Sequence, residues 1–247
     1  MSGVLVSIIT VSFNSEATIA RTIESVFNQT YLNIEYIIVD GKSTDKTLFI
    51  IDDLKPRLEE RGITLRVISE KDKGIFDAMN KGIKFSTGQI IGMINSDDWY
   101  ETDAIEKVAS QYQKEPFELL YASIRCIRQD GRSFVKKSKL SKNVTSRYWN
   151  HPTTFFDKSV YEKKLYACEN LYDDMDMYLW ARRNLKKIVV LDDIIANFSS
   201  GGPSNSKNIK KIIKRIKEKY KLYRKYGYSK AYLFEEVFTQ IGKFILQ

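Results

Sequence analysis

The chain has 247 residues, of which 43% are hydrophobic and 13% aromatic, so it can bury the core of one large domain, and its two cysteines exclude a disulfide framework. No apolar run reaches the ~20 residues of a membrane-spanning helix, and the first residues lack the basic segment of a signal peptide, so we expect a cytoplasmic protein. The net charge is +9, and residues 201–247 hold 12 of the 40 basic and 3 of the 31 acidic residues, which leaves a neutral body and a strongly basic tail.

Apolar runs and helical periodicities alternate along the body. Continuous β-branched and apolar content predicts buried strands at 4–13 and 34–40, and further strands are predicted at 64–69 and 89–94. The spacing of apolar residues predicts helices over 15–30, 43–58 and 74–86, with Ser15 capping the first and Ser43 or Thr44 the second. Short links between strands and helices predict an α/β fold with a mostly parallel central sheet flanked by helices.

Acidic residues follow three of the predicted strands. Asp40 ends the second strand, Glu70 and Asp72 follow the third, and Asp97 and Asp98 follow the fourth. Adjacent carboxylates repel unless water solvates each one or a cation lies between them, and both interpretations are open for Asp97 and Asp98. Since ligands of such sheets bind beyond the carboxyl ends of the strands, acids at three ends favour a Mg²⁺ or Mn²⁺ site shared with substrate phosphates.

Glycine motifs that cradle phosphates are missing from the sequence. It contains no G-x-x-x-x-G-K-[ST], and the glycines near the strand ends do not spell G-x-G-x-x-G. A P-loop hydrolase and a dinucleotide-dependent oxidoreductase are therefore disfavoured. A site of this kind can still hold a diphosphate if a metal neutralises it.

Four segments in order resemble bacterial family-2 inverting glycosyltransferases of the GT-A fold. They are VSIITVSFN, IEYIIVDGKSTDKT, SEKDKGIFDAMNKGI with STGQIIGMINSDD, and YDDMDMYLWARR. The resemblance covers residues 4–202 and implies a GT-A catalytic domain over 1–202, with a basic helical tail over 203–247. It also implies transfer of a sugar from a nucleotide-sugar donor, usually a UDP-sugar, to a glycan or lipid-linked glycan acceptor in cell-surface polysaccharide assembly.

Position by position, the resemblance implies a donor site along the first three strand ends. Thr10, Ser12 and Asn14 would lie near the nucleotide, because the first strand of the family packs beside it. Asp40 would read the uracil edge. Asp72, two residues before the glycine of the third motif, would also face the base.

The resemblance also implies a metal site, because the D-x-D of the family falls on Asn95-Ser96-Asp97. Asp97 would ligate the metal, and Asp98 would help to hold it or orient its neighbour. Asn95 departs from the family pattern, since an amide adds no charge, although it can still bond a ribose hydroxyl.

The catalytic base implied by the family is the second acid of the pair before a helix, which is Asp174. An inverting transfer needs one base to take the acceptor proton. The alternative is that Asp173 and Asp174 only favour a helix N-terminus through its dipole. His151, the only histidine, would contact the acceptor or a phosphate, with a structural hydrogen bond as the alternative.

The tail repeats isoleucine and tyrosine at helical spacing between residues 209 and 223, with lysine and arginine on the other faces. Two interpretations stay open: a basic amphipathic helix on the anionic inner face of the cell membrane, or packing of its apolar stripe on the body. Nucleic acid is not expected as a partner, because no nucleic-acid motif accompanies the charge. Alternatives to the glycosyltransferase are a metal-dependent nucleotidyltransferase and a basic binding protein.

Overall fold

The computed structural model describes residues 3–199 and 209–246. The strands are β1 (Val6–Ser12), β2 (Ile34–Asp40), β3 (Thr64–Ser69), β4 (Ile90–Met93), β5 (Trp99–Tyr100), β6 (Leu119–Ile127), β7 (Ser133–Lys136), β8 (Phe155–Asp157) and β9 (Ile188–Ser199). The helices are α1 (Ile19–Phe27), α2 (Thr47–Glu60), α3 (Ile75–Phe85), α4 (Ala104–Lys114), α5 (Lys158–Lys163), α6 (Asp173–Asn184), α7 (Ile209–Lys225) and α8 (Tyr232–Leu246). Two short 3₁₀ helices cover Ser146–Tyr148 and His151–Thr153.

The strands of the described ranges form one sheet in the order β3-β2-β1-β4-β8-β6-β9-β5, and β7 pairs with β6. β1 runs parallel to β2 and β4, and β2 runs parallel to β3. β8 lies antiparallel between β4 and β6, and β6 runs parallel to β9. The predicted α/β fold with a mostly parallel sheet is confirmed. The carboxyl ends of β1 to β4 therefore share one edge of the sheet.

Two apolar layers cover the two faces of this sheet, because successive side chains of a strand point to opposite faces. Val6 and Ile8 of β1 pack in the layer that contains residues of α1, α2 and α4. Ile9 and Val11 pack in the layer that contains residues of α3 and α6. The second layer also contains Leu222, Tyr223 and Tyr228, so part of the basic tail packs on the body.

The predicted third strand is confirmed as β3, which is the edge strand of the sheet. Leu65 is buried, whereas Thr64 and Arg66 on either side of it are exposed. Leu65 and Val67 pack in the first apolar layer and Ile68 packs against the second, so both faces of this edge strand meet the core in part.

The predicted caps at Ser15 and at Ser43 or Thr44 are wrong, because neither α1 nor α2 has a side-chain cap. α1 begins at Ile19, and the Ser15 hydroxyl bonds to the Ser96 hydroxyl at 2.8 Å. α2 begins at Thr47, whose backbone N–H donates to the Asp45 carboxylate at 3.0 Å. Ser43 donates to Asp40 instead of capping a helix.

The tail forms an antiparallel helical hairpin of α7 and α8. Arg215 donates to the Gln240 side chain at 3.2 Å, and the Lys219 ammonium lies 3.6 Å from the Glu236 carboxylate. The predicted domain boundary at 202/203 lies outside the described residues, so the division stays a prediction. In the part of the chain that the structure describes, no helix is both long and apolar enough to cross a bilayer.

Gly92 supplies a prediction about the core. A Cβ at this position would overlap the ring of Phe155, which is fully buried on the neighbouring strand. We expect Gly92→Ala to lower the free energy of unfolding by about 1–3 kcal/mol, the usual cost of overpacking. In Gly92→Ala/Phe155→Leu the loss should be smaller than the sum of the two single losses, as urea denaturation of the four proteins would show. Additive losses would contradict the clash.

Candidate active site

Asp40, at the end of β2, is the centre of the strand-end edge. Its carboxylate is fully buried and accepts hydrogen bonds from the hydroxyls of Ser12 (3.1 Å), Ser69 (2.9 Å) and Ser43, and from the Ser43 backbone N–H (2.8 Å). These donors come from β1, from β3 and from the turn after β2. The buried charge is stabilised by hydrogen bonds instead of a cation. The predicted contact of Asp40 with uracil stays a prediction.

Phe13, Gly41 and Asp72, one from each of the three strand ends, lie close together and form one surface, termed the slot. A Cβ on Gly41 would lie 2.6 Å from an Asp72 carboxylate oxygen and 3.3 Å from the Phe13 ring. The other Asp72 oxygen accepts from the Gly74 backbone N–H at 2.8 Å. The Phe13 side chain is 62% exposed, so an aromatic face and a carboxylate meet where the backbone has no side chain. Sequence analysis missed Phe13; its position directly after the β1 strand, between two polar residues, was the available signal.

The other predicted nucleotide contacts lie beneath or beside this slot. Thr10 is fully buried, and its hydroxyl bonds to the Tyr36 hydroxyl at 3.0 Å, so it lies inside the sheet. The Asn14 side-chain oxygen accepts from the Thr44 backbone N–H at 2.9 Å, which ties β1 to the turn after β2. Their roles toward a nucleotide stay predictions.

A turn after β4 carries the predicted metal ligands. Asp98 is fully buried, and one of its oxygens accepts from the Ser199 backbone N–H at 3.0 Å. Its other oxygen and the Asn95 side-chain oxygen have no hydrogen-bond partner among the described residues. Burial, and then the charge of Asp97, raises the pKa of Asp98 well above its ordinary value. Burial also raises the pKa of Asp97, against the opposing charge of Arg21.

Arg21 fixes this turn from α1. Its guanidinium donates to the Asp97 backbone carbonyl at 2.8 Å and lies 3.7 Å from the centre of the Trp99 ring. Thr22 donates to the Asp98 carbonyl at 2.7 Å. The backbone that carries both carboxylates is thus held by one helix.

The acids at the second and third strand ends do not join Asp97 and Asp98 in one cluster. Within residues 3–199 and 209–246, no group of three or more acidic, histidine or cysteine side chains could hold a metal. Asp40 is held by serines, and Glu70 pairs with Lys81 at 3.0 Å. The Asp97 carboxylate and the unpartnered oxygens of Asn95 and Asp98 remain, and oxygen donors of this kind fit a Mg²⁺ or Mn²⁺ that takes its other ligands from substrate and water.

Three acids occupy the first turn of α6, and they differ in their surroundings. Asp173 is buried and accepts from the Glu169 backbone N–H at 2.8 Å, and burial raises its pKa. Asp176 is buried between Lys164 (2.8 Å) and Lys225 (2.7 Å). Asp174 is partly exposed and accepts from the next backbone N–H at 2.7 Å. Asp174 is therefore the acid of this turn best placed to meet a substrate.

His151 lies near Asp174. Its Nε2 is 3.2 Å from the Tyr166 hydroxyl, which is the structural hydrogen bond considered as an alternative. Burial lowers the pKa of His151, against the nearby charge of Asp174. Burial raises the pKa of Tyr166, and Asp174 adds to that shift. The neutral forms of His151 and Tyr166 thus lie beside the candidate base, and Tyr166 was missed because one tyrosine among fifteen gives no sequence signal.

The chain is similar in sequence to known glycosyltransferases. A family model described as Glycosyl transferase family 2 matches residues 7–170. A PGL/p-HBAD biosynthesis glycosyltransferase of Mycobacterium bovis (strain BCG / Pasteur 1173P2) is 36% identical over 126 residues, which are 50% of this chain and 48% of that protein. A chondroitin synthase of Escherichia coli is 34% identical over 142 residues, 56% of this chain and 19% of that protein. The chain spans about half the length of the mycobacterial relative and less of the synthase.

Solved structures share the fold. S. aureus TarS 1–349 in complex with UDP has a TM-score of 0.71 at 18% identity, covering 94% of this chain and 69% of that chain. The mannosyltransferase PcManGT of Pyrobaculum calidifontis, in complex with GDP-Man and Mn²⁺, has a TM-score of 0.66 at 14% identity, covering 91% of this chain and 64% of that chain. The predicted GT-A fold is confirmed by this likeness.

The environment of Asp176 predicts a pH-dependent stability. Burial alone would raise its pKa, but Lys164 and Lys225 outweigh burial and hold the pKa below its ordinary value. The ionised form therefore stabilises the fold above a pH of about 4, and the effect is lost as pH falls through the lowered pKa. We expect Asp176→Asn to lower the free energy of unfolding at pH 7 by about 3 kcal/mol, the cost of breaking a buried ion pair.

Urea denaturation at a series of pH values measures this loss. The exposed Asp192 provides the control, since Asp192→Asn should leave the free energy of unfolding almost unchanged. A difference between wild type and Asp176→Asn that stays constant as pH falls below about 4 would contradict the assignment.

Proposed function

Because the chain belongs to glycosyl transferase family 2, we propose that it transfers a sugar from a UDP-sugar to an acceptor hydroxyl in glycan or glycoconjugate assembly. The observation that carries the proposal is the surface of Phe13, Gly41 and Asp72, where an exposed aromatic ring and a carboxylate meet. The Ser15–Ser96 hydrogen bond links the end of β1 to the Asp97 turn. The names of the similar proteins support a glycan product, and the UDP bound to TarS supports the donor.

The slot would hold the nucleobase. The exposed face of Phe13 offers a stacking surface, which tolerates any base because every base has a π-face. The Asp72 carboxylate can accept a hydrogen bond from a base N–H, which uracil supplies at N3. Asp40 would contribute by holding the turn of residues 41–43, because its own oxygens already accept four hydrogen bonds.

The turn after β4 would hold the diphosphate end of the donor. A Mg²⁺ or Mn²⁺ bound by Asp97, with Asn95 beside it, would neutralise the charge of the departing diphosphate. Asp98 would position this turn, because one of its oxygens already holds the Ser199 backbone. Arg21 keeps the Asp97 backbone in place through its bond to the carbonyl and its contact with Trp99.

Asp174 would be the base of an inverting displacement. The acceptor oxygen attacks the anomeric carbon, the bond from that carbon to the diphosphate oxygen breaks, and the acceptor proton passes to the Asp174 carboxylate. The configuration at the anomeric carbon inverts in a single displacement. His151 and Tyr166 would shape the acceptor side as neutral polar groups.

Donor use tests the proposal directly. We expect the protein to release UDP from at least one member of a panel of UDP-sugars, to lose this activity in excess chelator, and to regain it with Mg²⁺ or Mn²⁺. Asp97→Asn should lose metal-dependent UDP binding in calorimetry while it stays folded, because a carboxylate ligand is replaced by a neutral amide.

The control for Asp97→Asn is Asp53→Asn, at an exposed position of α2. Release of UDP at full rate in excess chelator would contradict the metal site. If the folded protein with added metal releases UDP from no UDP-sugar of the panel, the proposed donor is contradicted. Proton NMR of the product reports whether the anomeric configuration inverts.

If Asp174 is the base, its replacement should lower the transfer rate without changing the affinity for the donor. We expect Asp174→Asn to reduce the transfer rate by roughly 10²- to 10⁴-fold, the usual contribution of a positioned base. Donor affinity should stay unchanged, because the slot and the Asp97 turn lie on other elements. Transfer assays and calorimetry with the UDP-sugar measure the two quantities.

The melting temperature of Asp174→Asn separates catalysis from a helix-terminus role. If Asp174 only favours the start of α6, its loss should cost about 1 kcal/mol of stability and leave the rate almost unchanged. If it binds the donor, the dissociation constant of the UDP-sugar should rise instead. A near-normal rate would rule out Asp174 as the base.

A further inference from the structure

α8 exposes a large apolar surface. The α8 surface consists of Phe234, Phe238 and Ile241, whose side chains are 66%, 64% and 49% exposed. Their spacing of four and three residues places them on one side of the helix. Other positions of α8 hold Glu236 and Gln240, which are buried against α7. α8 thus buries Glu236 and Gln240 and leaves Phe234 and Phe238 outside, which is the reverse of an ordinary surface helix, although Tyr232 at its start packs on Tyr223 of α7.

α7 carries the positive charge of the hairpin. Nine of its 17 residues are lysine or arginine, and Glu218 is its one acidic residue. Arg215 and Lys219 are buried between the helices, and Lys225 pairs with Asp176. Exposed lysines of α7 are Lys210, Lys211, Lys214, Lys217 and Lys221.

The register of the hairpin brings charge and apolar surface together. Because Arg215 pairs with Gln240 and Lys219 with Glu236, the first turns of α7 lie alongside the later turns of α8. Ile209 and Ile213 of those first turns are also exposed. The helix packing that buries the polar residues therefore sets an apolar face beside a cationic helix.

We propose that the α7–α8 hairpin docks on an anionic lipid bilayer. The α8 surface enters the boundary between headgroups and acyl chains, and the exposed lysines of α7 meet the lipid phosphates. An amphipathic element with aromatic side chains on one side and lysines on the other is the type that lies in this boundary. Each lysine near an anionic leaflet adds attraction, which salt weakens.

Charge favours a bilayer over a second copy of the chain. A symmetric contact through the α8 surface would bring two hairpins of the same positive charge together, and like charges repel. Charge alone would explain binding to nucleic acid, but it would leave the exposed Phe234 and Phe238 unexplained. Docking on an anionic bilayer accounts for both the exposed lysines of α7 and the exposed phenylalanines of α8.

The experiment compares co-sedimentation of the full chain with vesicles of phosphatidylglycerol and phosphatidylcholine and with vesicles of phosphatidylcholine alone. We expect binding to the anionic vesicles, weakened by salt. Phe234→Ser/Phe238→Ser should reduce this binding by about tenfold or more, since each buried aromatic side chain contributes to it. The control is Phe49→Ser, at a position of α2 that is 71% exposed, and it should bind like wild type.

Charge is tested separately from apolar contact. Lys214→Gln/Lys217→Gln/Lys221→Gln should also reduce binding, by roughly fivefold per lysine. The control here is Lys84→Gln/Lys114→Gln, at exposed positions of α3 and α4. Thermal melts establish that each variant is folded; if the double phenylalanine variant unfolds, Phe238→Gln alone carries the same expectation.

Several outcomes would overturn the proposal. They are equal binding of wild type and the phenylalanine variants, equal binding to neutral and anionic vesicles, a dimer in light scattering without vesicle binding, and binding to nucleic acid without vesicle binding. Reduced binding of both variant sets, with both controls unchanged, would support it.

Discussion

The carboxylate of Asp40 is the interaction on which the strand-end edge depends. It accepts hydrogen bonds from hydroxyls of β1, of β3 and of the turn after β2. A buried carboxylate that lost these partners would be costly, so the three strand ends are held in a fixed relation. The slot between Phe13, Gly41 and Asp72 exists because of that relation. The site is thus built by a hydrogen-bonded anion beneath it, and its own residues are left exposed to a ligand.

A second buried carboxylate organises the opposite side of the site. Asp176 binds Lys164 from the segment before α6, and Lys225 and Tyr226 from the end of α7 and just beyond it. It lies two residues from Asp174 on the same helix turn. The candidate base is therefore held in position by contacts that involve three separate parts of the chain. Rigid placement of this kind is what a catalytic group needs, because small displacements reduce the rate strongly.

The sheet was predictable because its strands are continuous apolar runs and its links are short. β1 to β4 and the three helices between them appear where the sequence indicates, whereas β5 to β9 carry mixed patterns that sequence analysis did not assign. The wrong cap predictions have one physical origin. Ser15 and Ser43 each have the side chain expected of a helix cap, but Ser15 bonds to Ser96, and Ser43 accepts from the Asn14 backbone N–H, both distant in sequence. Local patterns cannot show which of several partners a polar side chain takes.

The bond between Asp176 and Lys225 has a consequence for how this chain can change in evolution. The basic hairpin looks like an appendage by composition, yet its first helix supplies a counter-charge inside the body. A gene that lost the hairpin would keep a buried carboxylate with one of its two lysines gone. Loss or exchange of the hairpin would therefore require a second change at position 176. We expect α6, which carries the candidate base, to be inherited together with the hairpin.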